Sequence, residues 1–219
     1  PERRRRLFTR HVDSELPQRF HQLSLTIKRV CSEVYGHTTQ LVKDRTGQLY
    51  TTFLTMDGKK IDGRDLYYNF NIKKDNIKLS GNDSITVTGV LKIDENREIV
   101  KRITFYGNKY YFKTEIEVRN LDEVLTTRGY DFRWTGGMVF QEENSVDEAT
   151  SSLGMISLGG DIQELDAGDT EPEDLSLEGR IEFAAIKLKY FGVGIMPLPY
   201  KNFDGIVDLR GETDRKSTR

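Results

Sequence analysis

The sequence predicts an all-β fold, an antiparallel β-sandwich with few or no helices. Short runs of alternating polar and apolar residues are separated by turns of Gly, Asn and Asp, which is typical of antiparallel sheets. No helical pattern alternates with these runs, so parallel βαβ units are not indicated. The chain has 219 residues, enough to bury one sizeable core, and sandwiches of this length often form one domain.

Six strands are predicted in chain order. They cover residues 49–54, 66–72, 84–93, 99–106, 109–119 and 130–134. Gly107 and Asn108 separate the fourth run from the fifth and predict a two-residue hairpin that sets the register. The polar segments 142–152 and 161–178 are predicted to be loops.

Strand 109–119 alternates with a period of two. The apolar residues of one parity are expected to face a core between two sheets: Tyr110, Phe112, Ile116 and Val118. The charged residues between them are expected on the opposite side: Lys113, Glu115 and Glu117. In strand 130–134, Tyr130, Phe132 and Trp134 share one parity, so Trp134 is expected to be largely buried and to anchor its strand.

Segment 179–197 changes the parity of its apolar residues twice. The three successive sets are Ile181 and Phe183, then Ile186, Leu188 and Tyr190, then Phe191, Val193 and Ile195. Each change turns the side chains to the other face of a sheet, so the segment is expected to contain a β-bulge or a sharp corner.

Composition excludes some classes of partner and of architecture. The net charge of −2 gives no global attraction to nucleic acid or to anionic lipid. No run of 18 apolar residues is present, so the sequence predicts no membrane span. The basic run Arg3–Arg6 lacks the apolar stretch of a signal peptide and is expected to be a solvated terminus. Cys31 is the sole cysteine and has no partner for an internal disulfide.

No catalytic, cofactor or metal site is predicted. The three histidines, His11, His21 and His37, do not have metal-ligand spacing. The sequence contains no GxSxG, Walker-type or GxGxxG loop. The acidic segment 161–178 does not follow the spacing of an EF-hand and is expected to be a solvated loop.

Four segments carry a resemblance to a known family. They are 56–68 (MDGKKIDGRDLYY), 103–120 (ITFYGNKYYFKTEIEVRN), 130–137 (YDFRWTGG) and 179–197 (GRIEFAAIKLKYFGVGIMP). In this order they resemble the periplasmic domain of the YidC membrane protein insertases, in particular the Bacteroidetes and Chlorobi branch. The resemblance covers about residues 56–200, whereas 20–42 departs from the family pattern.

The resemblance implies a domain organisation and a set of motif residues. Residues 1–45 are expected to be a poorly matched segment of edge strands or disorder, 46–207 the β-sandwich, and 208–219 a polar tail in place of the family's C-terminal amphipathic helix. The motif residues that match the family are expected to be mainly structural: Phe105, Tyr110, Asn120, Trp134, Gly136, Gly137, Gly179, Tyr190, Phe191 and Pro197.

The resemblance also implies a fold relative and a function. The family's domain is a large twisted antiparallel β-sandwich, a supersandwich similar to galactose mutarotase, and it is non-catalytic. It assists insertion and folding of inner-membrane proteins at the periplasmic face, through contacts with Sec translocon accessory subunits or nascent membrane proteins. The isolated domain is expected to be a monomer without cofactors.

Two alternatives stay open at this point. The first is a carbohydrate-binding or mutarotase-like module with a sugar-binding cleft. A mutarotase needs a His acid and a Glu base, and no His occurs from Phe53 onward, so this alternative is a binding module rather than an enzyme. The second is an unrelated β-sandwich scaffold.

Overall fold

The computed structural model describes residues 8–11, 48–72, 76–140, 145–166, 173–198 and 203–211. In these segments the chain is almost entirely β, and all paired strands are antiparallel. The one α-helix described, α1 (Ser145–Ala149), has five residues. The all-β prediction is confirmed. Arg3–Arg6, His21, Cys31 and His37 lie outside the described residues.

The chain divides into two compact units at Gly136 and Gly137. Unit 1 contains nine described strands: β1 (Phe8–His11), β2 (Gln48–Thr55), β3 (Lys60–Asp62), β4 (Asn69–Phe70), β5 (Asn76–Leu79), β6 (Ser84–Lys92), β7 (Glu98–Tyr106), β8 (Phe112–Arg119) and β9 (Leu125–Thr135). They form a four-stranded sheet in the order β4-β6-β7-β8, a three-stranded sheet in the order β3-β2-β9, and the pair β1-β5.

The core of unit 1 joins its two larger sheets. Phe53 on β2 packs with Ile99 on β7 and with Leu121 and Leu125 near the start of β9. This contact between inner faces is the packing of a β-sandwich. A second cluster of Val87, Ile103 and Phe105 lies on β6 and β7 and packs against Phe112.

On strand β8, only two of the four side chains predicted to face the core do so. Phe112 and Ile116 pack against the core clusters, as predicted. The prediction is wrong for Tyr110 and Val118, which are 51% and 37% exposed. β8 begins at Phe112, so Tyr110 lies in the preceding loop, and β8 is the outermost strand of its sheet.

The two-residue hairpin predicted at Gly107 and Asn108 does not form, and Gly107 has another role. Phe105 pairs with Phe112, so the β7–β8 loop is longer than two residues. A Cβ on Gly107 would lie 2.8 Å from the backbone of Ser80, and the Gly107 N–H donates to the Asp83 carbonyl at 2.8 Å. Glycine stands here because another turn approaches closely. Of the predicted strand 66–72, only β4 (Asn69–Phe70) pairs with β6, and a 3-10 turn at Gly63–Asp65 precedes this segment.

Unit 2 is a five-stranded sheet built around one long strand. After α1 come β10 (Leu153–Leu158), β11 (Asp161–Asp166), β12 (Glu173–Lys187), β13 (Gly192–Ile195) and β14 (Phe203–Gly211). The order is β11-β10-β12-β13, and β14 also pairs with β12. Ile156, Leu165, Ile181 and Leu188 are buried in this unit.

The predicted irregularity in segment 179–197 is confirmed. Ser157 pairs with Phe183 but Leu158 pairs with Ile181, so Glu182 is the extra residue of a β-bulge. The second parity change coincides with the turn between β12 and β13, where the Leu188 N–H donates to the Phe191 carbonyl at 2.7 Å. Both halves of the segment stay in one sheet.

Two polar segments form strands where loops or a tail are predicted. Residues 161–166 are β11, and β12 begins at Glu173, within the predicted loop 161–178. β14 continues to Gly211, so the first residues of the segment 208–219 belong to a strand rather than to a tail. In these strands the acids occupy exposed positions, while Leu165, Leu175 and Leu177 supply a sparse inward stripe.

Candidate functional site

The motif residues of unit 1 lie mostly at strand ends. Phe105 is buried and stacks on Phe112, with ring centroids 5.5 Å apart. Asn120 follows β8 with a φ of 55°, and its Nδ2 donates to the Asn96 carbonyl at 2.7 Å. Asparagine tolerates this left-handed conformation and here ties the end of β8 to the β6–β7 turn.

Trp134 is less buried than predicted. It pairs with Leu49 on β2 and is half-buried rather than largely buried. Tyr130, expected in the same layer, is 50% exposed, and its ring centroid lies 6.4 Å from that of Phe53. Gly136 and Gly137 follow with φ of 88° and 57°, which ends β9 in a conformation that favours glycine.

The motif residues of unit 2 surround β12 and β13. Gly179 has a φ of 150°, and a Cβ there would lie 3.0 Å from Leu158 Cδ1, next to the bulge. Tyr190 is 60% exposed in the β12–β13 turn, and the half-buried Phe191 accepts the hydrogen bond that closes this turn. Pro197 is half-buried just beyond β13.

The ten residues do not form one reactive centre. In unit 1, Phe105 and Tyr110 lie near the β7–β8 loop, whereas Asn120 lies at the other end of β8. In unit 2, Tyr190 and Pro197 lie beyond opposite ends of β13. Their geometry supports turns, bulges and core packing. We therefore propose that these residues are structural.

An exposed aromatic group forms at the β7–β8 loop. We name Tyr106, Lys109, Tyr110 and Tyr111 the tyrosine loop. The rings of Tyr106 and Tyr111 meet edge to face with centroids 5.5 Å apart, and the Lys109 ammonium lies 4.9 and 5.2 Å from the two centroids. Lys109 Nζ also donates to the Tyr111 hydroxyl at 2.9 Å. Cation–π contacts and this hydrogen bond order an aromatic surface in solvent.

Two amides lie beside the tyrosine loop. Asn108 Nδ2 donates to Asn82 Oδ1 at 2.9 Å, and both residues are exposed. The pair retains an amide donor on Asn82 and a carbonyl acceptor on Asn108 that this bond does not use. Aromatic rings beside amides suit a neutral polar ligand.

A charged network covers the outer face of β7 and β8. Glu117 accepts from Arg119 at 2.6 Å and pairs with Arg102 at 2.8 Å, and Arg119 also pairs with Glu98. Arg119 and then Arg102 hold the pKa of Glu117 at about 2, against an ordinary value of 4.5. Val100 has the same parity as Glu98 and Arg102 and is buried beneath this face.

Lys101 occupies the opposite face of the same strand. It stands between Ile99 and Ile103, one from each core cluster, and its cross-strand neighbours are Gly89 and Ile116. Burial lowers the pKa of its ammonium. Among the described residues no carboxylate pairs with it. This is a charge held in apolar surroundings.

An open depression of unit 1 is lined by residues of a turn. It lies at the β6–β7 turn and is lined by Asp94, Glu95, Asn96, Arg97, Asn120 and Glu123. Asp94 accepts from the N–H groups of Asn96 and Arg97 at 3.0 and 2.8 Å, and the Arg97 side chain holds the pKa of Asp94 below its ordinary value. The carboxylate is thus used to build the turn.

The described segments show neither a metal site nor a membrane-spanning helix. No group of three or more His, Cys, Asp or Glu side chains there is arranged to hold a metal ion. None of the helices in those segments combines the length and the apolar content needed to cross a bilayer.

Comparison with known proteins gives the family. No family model and no solved structure matches the chain. Relatives named membrane protein insertase YidC do match it. The chain is 29% identical to that of Chlorobaculum parvum over 186 residues, 84% of this chain and 32% of the relative. It is 33% identical to that of Chlorobaculum tepidum over 161 residues, 73% of this chain and 27% of the relative.

The chain belongs to the YidC family. A third relative, from Chlorobium phaeovibrioides, is 32% identical over 160 residues, 72% of this chain and 28% of the relative. The chain spans less than a third of the length of these curated YidC relatives. All three matches carry the name that the sequence motifs suggested.

Two surface features were missed by the sequence reasoning. The tyrosine loop is visible as Tyr106, Lys109, Tyr110 and Tyr111 around Gly107, but a strand interpretation placed Tyr110 inside the core. The second is a charge-free run. No charged residue occurs between Lys189 and Lys201, and this run contains the whole of β13.

Proposed function

We propose that this chain is a non-catalytic domain of a YidC-type membrane protein insertase, at the periplasmic face of the bacterial inner membrane. The observation that carries this proposal is the similarity to relatives named membrane protein insertase, over 84% and 73% of the chain for the two Chlorobaculum proteins. The sequence motifs quoted above, which resemble the periplasmic domain of this family, support the same assignment. The domain assists insertion and folding rather than catalysing a reaction.

Its partners are nascent membrane proteins and accessory subunits of the Sec translocon. The described residues of this β-domain form no reactive centre, so we expect it to act through its surfaces, which include exposed strand edges and an aromatic loop. Contacts of modest area are weak in isolation, but membrane anchoring of the partners raises their effective concentration. Binding of the isolated chain to Sec components is therefore expected at micromolar concentration or above.

Deletion in the full-length protein tests this function. Residues 56–200 are removed with the membrane helices kept, and insertion of a single-span substrate into vesicles is measured. We expect insertion to be slowed but not abolished, because the helices provide the route into lipid. A control deletes an equal length from an exposed loop of an unrelated vesicle protein. An unchanged rate, or complete loss of insertion, would contradict the proposal.

The tyrosine loop favours carbohydrate binding as a second candidate function. Tyr106 and Tyr111 give an aromatic surface, and the Asn82–Asn108 pair gives amide groups next to it. Isothermal titration with hexoses tests this candidate. Saturable heat that disappears in Tyr111→Ala and persists in Tyr67→Ala, an exposed tyrosine elsewhere in unit 1, would support it. No saturable heat would remove it.

A further inference from the structure

The outer strand β13 differs from the other sheet edges in charge. The strands at other edges all contain charged residues, apart from the two-residue β4, as β8, β11 and β14 illustrate. β13 and its flanks, residues 190–200, contain none. Natural proteins usually protect outer strands with charges, because an unprotected edge pairs with other chains. The exposed neighbours Met196 and Leu198 extend this uncharged character, whereas at the other end the Tyr190 ring lies 5.2 Å from the Lys189 ammonium.

The register of the β12–β13 hairpin fixes which backbone groups face outward. Leu188 and Phe191 close the turn with a hydrogen bond, so they are a hydrogen-bonded pair. Bonded and non-bonded pairs alternate along an antiparallel ladder. Ile186 and Val193 are therefore bonded, whereas Gly192 and Gly194 direct their N–H and C=O groups away from β12. No described strand pairs with that side of β13.

The two glycines place no side chains on the exposed face of β13, and their cross-strand partners on β12 are Lys187 and Ala185. Gly192 and Gly194 are exposed, while Val193 and Ile195 of the other parity are half-buried. A Cβ on Gly192 would meet only the Ile186 carbonyl oxygen, at 3.6 Å, so packing does not require glycine there. A second strand could lie against this edge without meeting side chains on the glycine face.

We propose that the β13 edge, Phe191–Leu198, binds an extended uncharged segment of another polypeptide by antiparallel or parallel strand addition. The inference rests on the proposed function, since the relatives' name implies substrates with long uncharged segments. The absence of charge along the edge selects such a segment, because a charged strand would gain no ion pair there and would lose hydration. The hydrogen bonds of Gly192 and Gly194 give affinity for any such sequence, and the glycine face, which has no side chains of its own, accepts large apolar side chains.

Amide exchange on the 219-residue chain tests the inference. The probe is a Val/Thr decapeptide with two lysines at each end for solubility. Peptide addition is expected to slow exchange of the Gly192 and Gly194 N–H groups, and to leave those of Val193 and Ile195 unchanged because they are already in the ladder. Protection elsewhere only, or none at peptide concentrations up to millimolar, would overturn the proposal. Protection of both glycines by a rise in chain concentration alone would also overturn it, in favour of self-association.

Matched charge variants complete the test. Gly192→Lys places a charge on the proposed edge, and Gln163→Lys places one on β11, another outer strand of the same sheet. Fluorescence anisotropy of the labelled peptide is expected to show at least tenfold weaker binding for Gly192→Lys and no change for Gln163→Lys. Equal binding by both variants would contradict the edge site. Circular dichroism melts confirm that each variant is folded.

The experiments distinguish failure of the β13 edge inference from failure of the proposed insertase function. If the peptide protects Gly192 and Gly194 but deletion of 56–200 leaves insertion unchanged, the edge inference stands and the insertase role falls. If deletion slows insertion while the peptide protects neither glycine, the role stands and the edge inference falls.

Discussion

Single residues in unit 1 show how one strand serves two environments. On β7, Val100 is buried under ion pairs, and Lys101 points into the opposite, apolar face between Ile99 and Ile103. Sequence analysis of an alternating strand normally places a charged residue such as Lys101 on the solvent side. The sequence around Lys101 reads IVKRITF, and nothing in its charges distinguishes the lysine of the inner face from the arginine of the outer face.

Replacing Lys101 should stabilise the protein. Lys101→Met keeps the alkyl chain and removes a charge held in apolar surroundings, so the free energy of unfolding at pH 7 should rise by about 0.5–2 kcal/mol. Burial lowers the folded pKa, so the charge penalty is present at low pH and is relieved as pH rises from that pKa toward 10.5, the ordinary value. The stabilisation by Lys101→Met should therefore shrink over this pH range.

Urea melts of Lys101→Met and of Lys92→Met, an exposed lysine on β6, measure the effect. A destabilised Lys101→Met would show that the ammonium has a favourable partner.

The aromatic pair of β7 and β8 gives a second prediction. Phe112 is half-buried and stacked on Phe105, so Phe112→Ala should cost about 2 kcal/mol, less than a fully buried phenylalanine. Glu115→Ala should stay within about 0.5 kcal/mol, because its pairing with Lys113 is exposed. Urea midpoints of the two variants are compared. Equal midpoints would mean that β8 presents the other face to the core.

Strands whose inner face is richly apolar were predictable from sequence. β6 and β7 were predicted to within one residue at each end, because Ile85 and Val87 on β6 and Ile103 on β7 alternate with polar residues. β11 was missed because a single buried leucine, Leu165, lies among acids, which makes the strand look like a solvated loop. Composition alone does not show that the strand is held by β10, which pairs with it along its whole length.

The tyrosine loop and the β13 edge were also not predictable from local sequence patterns. The tyrosine loop depends on Gly107 approaching Ser80, a contact between turns that no local pattern reveals. The β12–β13 turn was signalled only as a parity change. Its outward-facing glycines became apparent once the hydrogen bond between Leu188 and Phe191 fixed the register.

The charged network on β7 and β8 should make acid stability depend on Glu117. Arg119 and Arg102 hold its folded pKa at about 2, so the unfolded state binds the proton more readily. The resulting stability is present above about pH 4.5 and is lost as pH falls toward about 2. Glu117→Gln should therefore flatten the dependence of the urea midpoint on pH in this window. Glu115→Gln on the same strand is the matched control, and equal slopes in Glu117→Gln and the parent would contradict the assignment.

For the molecule as a whole we expect a monomer. The net charge is −2, and the other long edge strands carry charges that oppose self-pairing. β13 is uncharged but has four residues, so two copies that pair through this edge alone should dissociate at tens of micromolar. Sedimentation velocity at tens of micromolar should give one species of about 25 kDa. A dimer that Gly192→Lys dissociates would show that the uncharged edge pairs with itself.

The pairing of β2 with β9 has a consequence for synthesis. Gln48 pairs with Thr135, so β2, an early strand of unit 1, can pair only after the unit's last strand has been synthesised. By contrast, β6 pairs with β7 and β7 with β8, each the next strand in the chain. During translation the local meander is free to form first, and Phe53 has no Leu125 to pack against until β9 emerges from the ribosome. For that interval the unit exposes its principal core phenylalanine, and a holdase or export factor that recognises apolar segments has its best opportunity to bind the nascent chain.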